Sequence, residues 1–111
     1  MRTIACLSVF LLGLSGAAPV LAQTGPIKIF GLVELSGTGA TSGTNFNDGV
    51  KLAVKEINAG GGILGRKIEY TANDTQSQPP IAKALAVKAI DDGAYVVMGP
   101  VFSGSIMVSM A

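Results

Sequence analysis

The chain has 111 residues, with eight basic and seven acidic side chains, no histidine and a single cysteine. Without histidine, and with its one thiol at Cys6, it lacks the ligand sets of most zinc, iron and copper sites and the Cys/His and Ser/His pairs of nucleophilic catalysis. Its balanced charge, with no lysine or arginine cluster, gives no electrostatic footprint for nucleic acid or an anionic membrane surface. We therefore expect no cofactor, no metal and no nucleic-acid partner, and a small molecule or another protein as the partner.

Residues 1–22 have the layout of a secretory signal peptide. Arg2 precedes an apolar run over residues 4–14, and small residues follow up to Ala22. This run has about 11 residues, whereas a membrane-spanning helix needs about 20. The alternative, a buried N-terminal helix, should show polar residues at helical spacing, and the run offers only Ser8. We predict cleavage after Ala22, and hence an exported protein that has lost Cys6.

Three apolar runs bounded by turn residues are predicted as strands: residues 27–33, 67–73 and 94–98. The segment between the first strand and the first helix, residues 34–44, consists almost wholly of Gly, Ser, Thr and Ala. Such residues favour turns and exposed backbone, so we expect segment 34–44 to stay outside the core.

Helical spacing of apolar residues marks the stretches between the strands. Residues 45–58 are predicted as a helix that stops at the glycines of positions 60–62, because glycine readily adopts the left-handed conformation of a C-terminal cap. A second helix is predicted after Ser77 as its N-cap, with two prolines in its first turn, and it should end before Gly93. A third helix is expected to start at Ser103.

The resulting order, β-α-β-α-β-α, predicts an α/β fold with a parallel sheet, right-handed crossovers and helices on both faces. The chain beyond the signal peptide, residues 23–111, is short for a domain with a large core. Its last apolar run has no stop signal. We therefore interpret residues 23–111 as an incomplete part of a larger α/β lobe.

Ligands of open parallel sheets bind beyond the carboxyl ends of the strands, where the strand order reverses. If the first strand is central, segment 34–44 and the segment after the third strand, residues 99–105, face the same crevice. Both are rich in glycine and hydroxylated residues. The candidate ligand-binding residues are Ser36, Ser42, Phe102, Ser103, Gly104 and Ser105.

The start of the third helix is the favoured anion site within this set, because free backbone amides and the helix dipole favour a carboxylate there. Ser103 would donate its hydroxyl to a ligand oxygen, and the amides of Gly104 and Ser105 would complete the cradle. The alternative is that Ser103 is only the N-cap. Phe102 would cover an apolar part of the ligand, although core packing is the usual role of a lone aromatic residue.

Two carboxylates follow the first and second strands. Glu34 offers a partner for an ammonium group, but a solvated charge near a strand end is the favoured interpretation. Asp74 is favoured as a turn or capping residue. A dinucleotide-binding turn is also considered for the glycines of segment 34–44, but Ser42 stands where that fingerprint requires its third glycine.

Three stretches of sequence together resemble a known family: ELSGTGATSG at residues 34–43, NDGVKLAVKEINAGGGILGRKIE at residues 47–69, and VVMGPVFSGS at residues 96–105. They are similar to the N-terminal part of type I periplasmic binding proteins, above all the leucine/isoleucine/valine-binding group and its relatives for amides and aromatic acids. The resemblance implies two α/β lobes that close on a solute and deliver it to the membrane permease of an ABC importer.

The resemblance also implies roles for individual residues. The family's serine after the third strand binds the carboxylate of the ligand, and it matches Ser103. Branched-chain amino-acid binders often place an aromatic residue before the glycine that matches Gly43, whereas this chain has Ser42. The implied solute is therefore an amino acid, an amide or an aromatic acid, without a commitment to leucine, isoleucine or valine.

Two other classes of protein share this kind of fold. A secreted α/β enzyme would need a nucleophile and base pair, which these residues do not offer. The ligand-sensing domain of a membrane receptor would need a transmembrane helix after residue 111.

The signal peptide yields a direct prediction. Exported protein should begin at Gln23, because Val20 and Ala22 supply the small side chains before the cleavage site. Mass spectrometry of the amino-terminal peptide from a periplasmic extract measures this. A terminal peptide that still contains Met1 or Cys6, or one that carries a lipid, would contradict it.

Overall fold

The computed structural model describes residues 24–111, so the predicted signal peptide lies outside the described part of the chain. Three strands alternate with three helices, and a short 3-10 turn precedes the first helix. The elements are β1 (Ile27–Val33), the 3-10 turn (Gly37–Gly39), α1 (Ala40–Ala59), β2 (Ile68–Asp74), α2 (Pro79–Asp91), β3 (Val96–Met98) and α3 (Ser103–Ser109). Within residues 24–111, none of the helices combines the length and apolar character needed to cross a membrane.

The three strands form one parallel sheet in the order β2-β1-β3. β1 pairs with β2 along its whole length, from Ile27 opposite Ile68 to Val33 opposite Asp74. Its other edge pairs with the shorter β3. Because β1 is central, Leu32 and Val33 are completely buried. The predicted parallel sheet is confirmed, and β1 is central, which is the condition under which segments 34–44 and 99–105 share one edge of the sheet.

The helices cover both faces of the sheet, as predicted. On one face α1 packs on β1 and β2, and the Tyr70 hydroxyl of β2 donates a hydrogen bond of 2.9 Å to the side-chain oxygen of the buried Asn47 in α1. On the other face α2 and α3 pack together, where Leu32 of β1 and Ala86 of α2 line a common cavity. The predicted α/β fold, with helices on both faces of a parallel sheet, is therefore present in this chain.

Helix α1 begins at Ala40, five residues before the predicted start, and this places residues 40–44 of the segment in the helix. Gly39 and Gly43 are buried, and a Cβ atom at Gly43 would overlap the carbonyl oxygen of Glu34. The expectation that this segment stays outside the core is wrong for Glu34, Gly39 and Gly43, whereas six of its eleven residues are exposed. Packing of small residues against the end of β1 decides the helix start, and it outweighs the weak helix propensity of Gly, Ser and Thr.

Helix α2 begins with two prolines as predicted, but Ser77 is not its N-cap. The cap position is occupied by Gln78, whose side chain makes no capping hydrogen bond. Ser77 instead donates its hydroxyl to the Ser36 carbonyl at 2.7 Å and accepts the Gly39 amide at 2.9 Å. The Ser77 side chain, predicted to cap α2, therefore links the start of α2 to the segment before α1.

Two glycines of α1 give a matched test of this packing. Gly43→Ala should lower the free energy of unfolding by about 1–3 kcal/mol, because the new methyl group has no room beside Glu34. Gly49→Ala, in the same helix but with open space around its Cβ position, should raise it by about 0.5–1 kcal/mol. Urea unfolding of the protein expressed from its complete gene measures both. Equal effects of the two substitutions would show that the close contact at Gly43 does not matter.

Candidate ligand-binding site

The carboxyl end of β1 is joined to the segment after β3 by one buried carboxylate. Glu34 directly follows β1, and its side chain is completely buried. Its Oε2 accepts the Val101 amide at 3.0 Å, and its Oε1 accepts the Phe102 amide at 3.3 Å. The interpretation of Glu34 as a solvated charge is wrong, because the two peptide N–H groups replace its water shell.

Phe102 closes the space around this carboxylate. A Cβ atom at Gly39 would lie 2.7 Å from the ring carbon Cζ of Phe102 and 2.9 Å from Cβ of Glu34. The half-buried ring therefore packs on the 3-10 turn beside the glutamate. This contact accounts for Phe102 as a packing residue and leaves part of its surface exposed at the edge of the sheet.

Helix α3 starts at Ser103 as predicted, with Phe102 in the N-cap position and no side-chain capping bond. The alternative that Ser103 is the N-cap is therefore wrong. The first backbone hydrogen bond of the helix runs from the Ile106 amide to the Phe102 carbonyl at 2.9 Å. The amides of Ser103, Gly104 and Ser105 have no acceptor among residues 24–111, as expected for a first helical turn.

The hydroxyl groups of this turn differ in their surroundings. Ser103 and Gly104 are exposed, so both are accessible to a solute. Ser105 is 1 % exposed, and its hydroxyl has no hydrogen-bond partner within the described residues. Segment 99–105 therefore offers one exposed hydroxyl, free amides and one buried hydroxyl with unused hydrogen-bonding capacity.

Asp74 organises the carboxyl ends of β1 and β2, in line with its predicted turn role. Its Oδ1 accepts the amides of Leu35, Ser36 and Gln76 at 2.9, 3.1 and 2.8 Å, and its Oδ2 accepts the Ser36 hydroxyl at 2.6 Å. Partial burial by itself raises the pKa of Asp74, but the hydrogen bonds from the Ser36 hydroxyl and from these amides outweigh it and lower the pKa below its ordinary value.

The two serines of segment 34–44 lie in different settings. The hydroxyl proton of Ser36 is committed to Asp74, so this side chain can face a solute only as an acceptor. Ser42 is exposed and belongs to α1 instead of a loop. The structure thus joins segment 34–44 to segment 99–105 through Glu34, and to the start of α2 through Asp74 and Ser77.

The sequence interpretation missed the structural role of Glu34. The available signal was an acidic residue placed directly after an apolar strand and before glycines at positions 39 and 43, where small residues leave room for a buried side chain. An apolar cavity of about 480 Å³ lies elsewhere, between α1 and the sheet, and none of the candidate residues lines it. Among residues 24–111, no group of His, Cys, Asp and Glu side chains is arranged to hold a metal ion.

The sequence profile of the family described as periplasmic binding protein matches residues 26–111, which is most of the chain. The chain belongs to this family. The chain spans about one fifth of the length of the curated relatives that it matches.

Two curated relatives illustrate the range of the similarity. The Leu/Ile/Val-binding protein BraC3 of Rhizobium johnstonii is 38% identical over 73 residues, which are 66% of this chain and 20% of that protein. The chemotactic signal transduction system substrate-binding protein BasB of Halobacterium salinarum is 34% identical over 82 residues, which are 71% of this chain and 20% of that protein.

A solved structure gives the same fold. The branched-chain amino acid transporter substrate binding protein LivJ from Streptococcus pneumoniae, in complex with isoleucine, superposes with a TM-score of 0.74 at 36% identity. The match covers 76% of this chain and 24% of that one. The similarity to the leucine/isoleucine/valine-binding group seen in the three sequence stretches is confirmed.

The lowered pKa of Asp74 predicts how the stability of the fold depends on pH. A carboxyl group with a lower pKa in the folded state stabilises the fold above its unfolded pKa of about 3.9, and this contribution is lost as the pH falls through the folded pKa. Asp74→Asn should therefore lower the melting temperature at neutral pH, and the difference from the wild type should shrink in acid. Thermal unfolding across the acid range measures both.

The control is Asp48→Asn, which changes an exposed carboxylate on α1 that makes no hydrogen bond within the described residues. It should keep the melting temperature and acid response of the wild type. A difference between wild type and Asp74→Asn that stays constant down to low pH would contradict the role of the Asp74 carboxylate.

Proposed function

We propose that this chain supplies part of the first lobe of a solute-binding protein that serves an ABC importer, and that the solute is an amino acid or a related carboxylate or amide. The observation that carries the proposal is the edge formed by segments 34–44 and 99–105. Glu34 holds the two segments together, and the exposed Ser103 follows directly. In parallel sheets this edge is where ligands bind.

The family and its named relatives support this function. BraC3 is named for leucine, isoleucine and valine, and the LivJ structure contains isoleucine. We propose that this chain likewise binds a solute without catalysing a reaction, and that it is therefore not an enzyme. A membrane permease is the proposed partner, and the periplasm is the proposed location, in agreement with the predicted signal peptide.

Within the site, we assign the first contact with the solute to Ser103. Its exposed hydroxyl would donate to a carboxylate oxygen, and the free amide of the exposed Gly104 would add a further donor. The amide of Ser105 is not part of this proposed contact, because that residue is 1 % exposed. Ser36 would accept a hydrogen bond from the solute, and the exposed parts of Phe102 and Ser42 would bound the crevice. A second lobe would close over these groups.

Ligand sensing is the second candidate function, and the similarity to BasB favours it, because that protein is named for chemotactic signal transduction. Both candidates use the same binding chemistry, and they differ in the membrane partner. Deletion of the gene separates them. Loss of solute uptake supports the importer, whereas intact uptake with loss of attraction to the solute supports the sensor.

The binding role of Ser103 can be tested by calorimetric titration of the protein expressed from its complete gene. A panel of L-leucine, L-phenylalanine, benzoate and acetamide supplies probes with and without a carboxylate. Ser103→Ala removes one donor to a charged group, a hydrogen bond worth about 1.5–3 kcal/mol. The affinity for the tightest carboxylate probe should therefore fall roughly 10- to 150-fold.

Ser109→Ala is the matched control, because this serine lies in the same helix and its hydroxyl donates only to the Ile106 carbonyl. It should leave the affinity unchanged. Equal affinities of the wild type and Ser103→Ala would contradict the assignment, and failure of every probe to bind would contradict the proposed solute class.

A further inference from the structure

Glu34 is a buried carboxylate without a cationic partner in the described part of the chain. The one ion pair among residues 24–111 joins Lys88 and Asp92 on the surface of α2. Burial of an unpaired carboxylate is unfavourable unless hydrogen bonds replace its hydration. For Glu34 this replacement comes from the peptide N–H groups of Val101 and Phe102, so the charge is tied to the position of segment 99–105.

The geometry of these two hydrogen bonds is bidentate. Each carboxylate oxygen accepts one amide, and the two amides belong to consecutive residues. Two bonds from one rigid group fix both the distance and the orientation of the peptide planes that carry these amides. Phe102 is the N-cap of α3, so its orientation sets the direction in which the first turn of the helix begins.

The backbone and the base of the side chain of Glu34 are held by the close approach of α1 and the turn before it. The carbonyl oxygen of Glu34 would overlap a Cβ atom at Gly43, and its side-chain Cβ lies 2.9 Å from the Cβ position of Gly39. The amino-terminal end of α1 therefore seals Glu34 from solvent. The fixed start of α1 and the fixed start of α3 are connected through this one side chain.

We propose that Glu34 is the positioning residue of the binding site: its buried carboxylate fixes the Val101 and Phe102 amides, and so holds Ser103 and the first turn of α3 in place before the solute arrives. This inference rests on the proposed function, because it gives Glu34 a role in binding only if the solute contacts segment 99–105. Preorganisation of this kind increases affinity, since the ordering cost is met during folding.

Glu34→Gln is the sharpest test, because it keeps the shape of the side chain but replaces one acceptor oxygen with an NH₂ donor. One of the two peptide N–H groups then loses its acceptor. If segment 99–105 keeps the binding geometry in about one tenth of the molecules, the dissociation constant for the tightest probe of the panel rises about tenfold. Calorimetric titration of the protein expressed from its complete gene measures this.

Two control variants separate positioning from general effects of charge and stability. Glu69→Gln makes the same chemical change at an exposed residue of β2. Ala53→Gly weakens the interior of α1 at an exposed position, on the face of the sheet opposite to α3. Both should bind the probe as the wild type does. Weakening by Ala53→Gly equal to that by Glu34→Gln would overturn the proposal.

The double variant with Glu34→Gln and Ser103→Ala tests whether Glu34 acts through Ser103. Positioning predicts that the combined loss of affinity is clearly smaller than the product of the two single losses. In protein without solute, NMR should also show altered shifts and faster exchange of the Val101 and Phe102 amide protons in Glu34→Gln.

The outcomes distinguish the two proposals. Weaker binding by Ser103→Ala with unchanged binding by Glu34→Gln, or strictly multiplicative effects, would overturn the positioning role and leave the proposed function standing. Unchanged amide protons of Val101 and Phe102 in Glu34→Gln would overturn the structural basis of the inference. If no probe binds to the wild type, the proposed function fails, and the binding role of Glu34 fails with it.

Discussion

The arrangement at the carboxyl edge of the sheet depends on the two hydrogen bonds that the buried Glu34 carboxylate accepts from Val101 and Phe102. They connect residues that are 67 and 68 positions apart in the sequence. A buried carboxylate tolerates little displacement, because loss of either bond leaves one of its oxygens with neither water nor a hydrogen-bond donor. The start of α3 is therefore fixed relative to the central strand, and the close approach of α1 at Gly43 fixes the backbone of Glu34 in turn.

Asp74 links the carboxyl ends of β1 and β2 by hydrogen bonds of the same kind, but in a more exposed setting. It gathers three amides and one hydroxyl, and Ser77 adds a further link between the same segments. The two carboxylates thus use the same chemistry at different depths: the partly exposed one organises local turns, and the fully buried one joins distant segments. Together they hold the loops after β1 and β2 and the segment after β3 at one edge, which is the geometric requirement for a solute-binding crevice in this fold.

The evidence for the family and the fold therefore differs in kind from the evidence for the identity of the solute. The profile match and the structural similarity concern the whole pattern of strands, helices and glycines. The solute depends on a few side chains around the crevice, and this chain corresponds to about one fifth of the curated relatives. In the proposed function, Ser103 and the first turn of α3 would recognise a carboxylate or amide group of the solute.

The sequence by itself determined the order of elements, the parallel sheet, the glycine stop of α1 and the start of α3 at Ser103, because apolar periodicity and turn residues act locally. It also indicated two segments that share one edge of the sheet if the first strand is central, and the tertiary structure decided that β1 is central. Only the tertiary structure decided the start of α1, the hydroxyl contacts of Ser77 and the burial of Glu34. Each of these depends on contacts between segments far apart in the chain. Close packing at Gly39 and Gly43, and the replacement of water by peptide N–H groups around Glu34, outweigh the conformation and exposure that each residue prefers locally.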